Sequence, residues 1–382
     1  MIHMPSRAEQ LRTLGQSVWL DFIRRGHLVS GEFEQLVRDQ GVVGVTSNPT
    51  IFDQAIAKSG DYDAALERGV AAGLDPAQLF DALTIEDIQM ACDRLSGVFR
   101  DTRGLDGRVS IEVSPKFAGD TKATIAEGHR LHEAVARPNV MIKVPATAAG
   151  LPAITALTAA GISVNVTLIF SIARYEQVIE AFLTGLELRA GAEEPIDDIV
   201  SVASFFVSRV DSKIDSAIDA AIAALPAGDA RRPELESYRG KAAVANARLA
   251  YERFELAFGT PRFALLKEGK AANVQRPLWA STSTKNPAYP DTLYVDELIG
   301  PHTVNTMPPQ TLTAFNDHGT VAVTIRKDLP AARDLFRRLP ELGIPIDAKI
   351  AELESEGVIA FAKSYDSLLA TLATRHREMA RG

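Results

Sequence analysis

Eight short apolar runs, each of strand length and bounded by turn residues, recur along most of the chain: SVWLD, GVVGVTS, VSIEVS, VMIKVPA, ISVNVTLIF, IVSVASFFV, PLWAST and HTVNTMP. Between most of them the apolar residues return every three or four positions, as in 123–136, 173–188 and 210–224, and this period predicts helices buried along one face. Strands alternating with helices predict a parallel sheet with right-handed crossovers. Eight such units point to a closed (β/α)8 TIM barrel, although the period by itself is also compatible with an open doubly wound sheet.

Two segments exceed what a barrel unit needs. The stretch 52–108 is too long for one crossover and predicts two or three helices inserted after the second strand, at about 53–108. The tail 309–382 reads as a helical extension. Its segment DAKIAELESEGVIAFAKSYDSLLATLATRHREMA keeps an apolar stripe, so it is expected to dock on the barrel and cover its mouth. No Ser- or Gly-rich linker, low-complexity tract or solenoid period interrupts the chain, and 1–382 is expected to form one elaborated domain.

The uncharged stretch 144–172 is long enough for a membrane span, but Pro145, Gly150, Pro152, Gly161 and Asn165 divide it into strand, helix and strand. With 46% apolar and 24% charged residues the chain is an ordinary soluble globular protein rather than a disordered one. Its 41 basic and 49 acidic side chains give a net charge of −8, which argues against a general nucleic-acid or anionic-membrane surface; a phosphate ligand would need local cations. A lone Cys92 excludes an internal disulfide framework and reads as a small helix residue. The N-terminal MIHMPSRAEQLRTLGQ has no continuous apolar core, so no secretory signal is expected and the cytoplasm is the expected compartment.

In a barrel of this kind the chemistry sits at the carboxyl ends of the strands, so polar residues late in the apolar runs carry the most information. Lys143 stands in the middle of VMIKVPA. Strand alternation places it on one face with Met141, and with Ile142 and Val144 turned to the surrounding helices Lys143 points into the barrel. Dry surroundings disfavour an ammonium charge, and a neutral amine is a nucleophile for carbonyl carbon, which points to Schiff-base chemistry. The alternative is a purely structural pair with a buried acid. Glu112 in VSIEVS and Asp21 in WLD offer two carboxylates with separable duties, proton traffic beside the amine and base catalysis at a hydroxyl; each also suits a strand-end cap or a partner for a cation.

Asn48 precedes Pro49 and also suits a helix N-cap. Asn165 and Thr167 share a strand face and can hold hydroxyls and a water. Ser204 and Ser281 lie late in their runs, and Arg209 and Lys285 follow late strands, where barrels often keep a phosphate site; each cation alone also fits a solvated surface charge. His129, His132 and Glu133 do not form a recognised zinc spacing, and the chain has no G-x-G-x-x-G, P-loop or G-x-S-x-G motif.

Taken in order, GVTSNPTIF, VSIEVSP, NVMIKVPAT, GISVNVTLIFS and ASFFVSRVD resemble transaldolase in its longer bacterial form, over about 17–308. The resemblance implies a (β/α)8 class I aldolase that moves a dihydroxyacetone unit between sugar phosphates in the non-oxidative pentose phosphate pathway, with no metal or organic cofactor. It implies that Lys143 forms the Schiff base, that Glu112 acts through a water also held by Thr167, and that Asp21 is acid and base at the hydroxyl of the breaking bond. Asn48, Asn165 and Ser204 would hold the substrate hydroxyls and Arg209 the phosphate. The related fructose-6-phosphate aldolases resemble one another in having Gln at the place of Glu112 and Tyr at the place of Phe206, so both positions read as transaldolase. An apolar Phe206 would help keep bulk water from the bound unit. One departure stands out: many members carry ASFRN where this chain reads ASTSTKNP, so Ser281 matches while the second phosphate arginine has no direct counterpart and Lys285 takes its place. Cleavage with release of free dihydroxyacetone, or a barrel that binds sugar phosphates without chemistry, are the alternatives. The oligomeric state and the purpose of the added helices are not implied.

Overall fold

The computed structural model describes residues 5–57 and 59–379. Residues 1–4, part of the stretch on which the leader expectation rests, and 380–382 at the end of the tail lie outside the described residues.

Each of the eight apolar runs forms a strand: β1 Gln16–Leu20, β2 Val42–Val45, β3 Arg108–Glu112, β4 Val140–Pro145, β5 Val164–Ile169, β6 Ser201–Phe206, β7 Gln275–Ala280 and β8 Thr303–Met307. They pair in sequence order, all parallel, and β1 closes on β8. Almost every strand residue is buried, which explains why the runs read as continuously apolar rather than alternating. Close packing dictates some residues outright. A Cβ at Gly44 would lie 2.6 Å from the Trp19 indole, so a residue without a side chain on β2 lets the large ring of β1 fill the space.

The 144–172 stretch resolves as expected into the end of β4, the helix Gly150–Ala159 and β5, and no helix among the described residues is long and apolar enough to cross a membrane. The helices predicted at 123–136, 173–188 and 210–224 are Thr121–Val135, Ile172–Gly191 and Ser208–Ala224. Cys92 is a buried residue of the helix Pro76–Arg94, and burial pushes its thiol pKa up.

Among its described residues the segment between β2 and β3 holds four helices, Pro49–Ala57, Asp63–Ala71, Pro76–Arg94 and Ser96–Asp101, rather than two or three, and Arg108 already belongs to β3. The third begins at a capping box in which Asp75 accepts from the N–H groups of Ala77 and Gln78 while the Gln78 side chain accepts from the Asp75 N–H. The insertion is tied to the barrel through Arg25, whose Nε lies 2.7 Å from Asp87 Oδ1, with the Tyr62 hydroxyl donating to Asp87 Oδ2 at 2.8 Å.

The described residues of the tail form three helices, Pro309–His318, Leu329–Glu341 and Ile346–Met379. The first lies beside the helix Arg7–Thr13, where Asn316 Oδ1 accepts from the Ala8 N–H at 2.9 Å. The last spans the strand ends and joins elements far apart in sequence: Lys213 bonds Glu352 at 2.7 Å, Ser364 accepts from Thr50 at 2.8 Å, and Asp366 meets Lys116 at 3.0 Å. This helix covers the barrel mouth.

Candidate active site

At the carboxyl end of the barrel a cavity of about 280 Å³ is lined by Asp21, Asn48, Lys143, Thr167, Ser204, Phe206, Arg209, Ser281 and Lys285. Nine of the eleven residues singled out along the chain therefore meet in one place, carried there by six different strands or the turns after them.

Lys143 is 4% exposed. Register places it opposite Glu112 on β3 and Asn165 on β5. Its Nζ donates to the Ser47 carbonyl at 3.0 Å and lies 3.1 Å from Glu112 Oε2. Strand alternation predicts a dry lysine, and the register of β3 on β4 adds Glu112 as its charge partner. Burial holds the Glu112 carboxyl above the ordinary carboxylate range, with Lys143 opposing. Asp21 is likewise pushed up, mainly by burial and against the pull of Lys143; its Oδ1 accepts from the Thr46 hydroxyl at 2.8 Å, with Thr306 Oγ1 2.6 Å behind it. Two largely desolvated acids thus flank one buried amine, an arrangement suited to moving protons at a reacting carbonyl.

Asn48 does cap the helix Pro49–Ala57, its Oδ1 accepting from the Ile51 N–H at 2.9 Å, and it also lines the cavity, so both readings of this residue hold. The Thr167 hydroxyl is buried without a protein hydrogen-bond partner. Its setting is unusual: Leu168 has φ +59° and the β5–β6 register shifts between Val166 and Ile169, a bulge of the kind that re-aims side chains near sites.

Two of the eleven sit elsewhere. Asn165 is fully buried outside the mouth cavity, donating to Ser110 Oγ at 2.9 Å and accepting from Ser204 Oγ at 2.7 Å. Glu112 lines a separate crevice of about 30 Å³ behind the lysine, shared with Asn48, Thr84, Glu127 and Tyr365.

At the rim, Arg209 lies 5.5 Å from the centre of the Phe206 ring, and Phe206 leans on Phe170 at 5.1 Å. Lys285 is exposed and donates to Ser283 Oγ at 2.9 Å. Among the described residues neither cation has a carboxylate ion-pair partner. Although the side chain as a whole is exposed, partial desolvation of its amine at the rim, and then the neighbouring Arg209, lowers the Lys285 pKa. Two neighbouring cations, neither of them tied up in an ion pair among the described residues, form a natural anion seat. Ser281, at φ +57°, shares a hydrogen bond with Ser208 at 2.9 Å.

Several cavity residues were not singled out along the chain. Thr46 directly follows β2 and Thr306 is the penultimate residue of β8, so both fall under the same strand-end rule that found the others. Phe361 does not, because it arrives from the last helix and stacks its ring 5.7 Å from Lys143 Nζ; the only signal it gives in sequence is membership of the apolar stripe of the tail.

Fold and site together define the class: a (β/α)8 barrel enzyme with a lysine and two carboxyls at its strand ends. The chain belongs to the family described as Transaldolase/Fructose-6-phosphate aldolase, which matches residues 18–372. It is 49% identical to the transaldolase of Frankia alni over 371 residues, covering 97% of each chain. It is 49% identical to that of a Parafrankia strain over 370 residues, 97% of this chain and 98% of the relative. The transaldolase of the more distant Trichodesmium erythraeum is 43% identical over 372 residues, 97% of each chain.

Proposed function

We propose that this chain is a transaldolase that moves a dihydroxyacetone unit from sedoheptulose 7-phosphate to glyceraldehyde 3-phosphate, giving erythrose 4-phosphate and fructose 6-phosphate. The observation that carries the reading is Lys143, buried at the floor of the mouth cavity and 3.1 Å from a carboxyl that burial holds ready to take a proton. Passing the ammonium proton to Glu112 frees the amine to add to the ketose carbonyl carbon. The carbinolamine then loses water with Glu112 returning the proton, directly or through a water shared with the free hydroxyl of Thr167. Asp21 removes the proton of the hydroxyl on the leaving carbon, the carbon–carbon bond breaks, and the aldose phosphate departs while an enamine stays on Lys143. An incoming aldehyde reverses these steps. Asn48 and Ser204 face the cavity where the hydroxyls of the bound unit would lie, and Asn165 orients Ser204 from beneath. Arg209, with Lys285 beside it, serves the phosphate.

The test is borohydride reduction in the presence of fructose 6-phosphate, followed by mass mapping. A three-carbon addition on the peptide holding Lys143 is expected. No addition there would sink the covalent mechanism and leave binding alone.

A second measurement checks the phosphate seat. Arg209→Ala should raise KM for fructose 6-phosphate about 10- to 100-fold with a smaller effect on kcat, since a charge-assisted pair is lost from binding. Lys285→Ala should act in the same direction but less, its flexible point charge lacking the planar fork. An unchanged KM in the arginine variant would place the phosphate elsewhere.

A further inference from the structure

Phe361 stands over the reacting amine, although it belongs to the helix Ile346–Met379 and not to a strand end. It is 4% exposed, lines the mouth cavity, and its ring centre is 5.7 Å from Lys143 Nζ.

The surroundings fix it from both sides. One turn earlier, Gly357 brings the helix backbone so close to β5 that a Cβ there would lie 3.0 Å from Leu168 Cδ2 and 3.4 Å from the Phe170 ring. The bulge at Leu168 and the Phe170–Phe206 contact therefore supply the surface on which the helix rests. One turn later, Ser364 is bonded by Thr50, and Tyr365 meets Phe80 edge to face at 5.3 Å. Phe361 cannot drift along the mouth while these joints hold.

We propose that Phe361 is a further active-site residue that decides between transfer and release of the covalently held three-carbon unit. This rests on the Schiff-base reading of Lys143. Release without an acceptor requires the enamine carbon to take a proton, giving an iminium. A water then adds to the former carbonyl carbon, and the carbinolamine expels the Lys143 amine as dihydroxyacetone leaves with the oxygen of that water. Transfer to an aldehyde forms a carbon–carbon bond at the enamine first, with no water added at that stage. An aromatic face over the nitrogen excludes the water that release needs and also favours the iminium charge over its hydrated alternatives. Phe206, carried by β6 rather than by the last helix, lines the same space.

The experiment compares the parent with Phe361→Ala and Phe361→Leu, using fructose 6-phosphate with and without erythrose 4-phosphate. The rate of glyceraldehyde 3-phosphate formation without acceptor, divided by the rate of transfer, should rise about tenfold in Phe361→Ala and be largely restored in Phe361→Leu, which keeps apolar bulk. Phe361→Gln, close in length and compatible with a helix, should also raise the ratio and serves if the alanine variant does not fold. An unchanged ratio in Phe361→Gln and in any folded Phe361→Ala, with a borohydride adduct still found on Lys143, would overturn this inference alone. Absence of that adduct in the parent would overturn the Schiff-base reading and this inference with it.

Discussion

Replacing Lys143 with methionine should lower turnover at least about 10⁴-fold and abolish the borohydride-stable adduct while the barrel remains folded. Methionine keeps the length and apolar stem of lysine, so the loss reports the amine. The folded state does change, because Glu112 loses the partner 3.1 Å away that opposes its burial. Breaking a buried pair costs about 3–5 kcal/mol when the surviving charge must stay charged. Protonation of Glu112 limits that cost. A carboxyl whose value in the folded protein lies above its unfolded one contributes stability below the unfolded value and loses it as pH rises through the folded one. The methionine variant should therefore be nearest to the parent in stability at mildly acidic pH and fall further behind as pH rises. Adding Glu112→Gln should remove most of that pH dependence, as followed by denaturant unfolding across pH. Undiminished turnover in Lys143→Met, or a persistent adduct on another lysine, would end the proposed mechanism.

The barrel was legible in the chain because each strand is buried on both faces, so its apolar run has nothing to alternate with and stands out between turn residues. The site was legible to the extent that its residues end strands: Asp21, Asn48, Thr167, Ser204 and Arg209 meet at one cavity because the fold brings every strand end to the same face. What depends on the relation between strands was not legible. The contact of Lys143 with Glu112 follows from the register of β3 on β4, which no single strand's period contains, and it turns the structural-pair alternative and the catalytic reading into two descriptions of one contact. The full burial of Asn165 beneath the cavity has the same origin, since strand direction tells that a side chain faces inward but not how deep its layer lies. Phe361 was hidden for another reason. Helix periodicity marks an apolar stripe and leaves open which of its residues reaches over a lysine on β4.

Asp21→Asn should slow carbon–carbon cleavage by about 10²–10⁴-fold while leaving Schiff-base formation in place. The proposed roles separate here: Lys143 and Glu112 form the iminium, and Asp21 acts only when the hydroxyl beyond it must lose its proton. The asparagine keeps the shape and still accepts from Thr46, so the Thr46–Thr306 pair behind it is preserved. With fructose 6-phosphate the parent should yield mainly a three-carbon adduct after reduction, whereas the variant should retain the whole six-carbon phosphorylated sugar on Lys143. The pH profile offers a second reading of the same substitution. Burial raises the Asp21 carboxyl, so the acid limb of the cleavage rate should lie above the ordinary carboxylate range; below it the acid is protonated and cannot accept the hydroxyl proton. Because Lys143, Glu112 and Asp21 interact, the limb belongs to the group as a whole, but its steepest part should disappear when Asp21 is replaced. A three-carbon adduct formed at the parent rate in Asp21→Asn would show that the base is elsewhere, and Glu112 would then have to serve both steps.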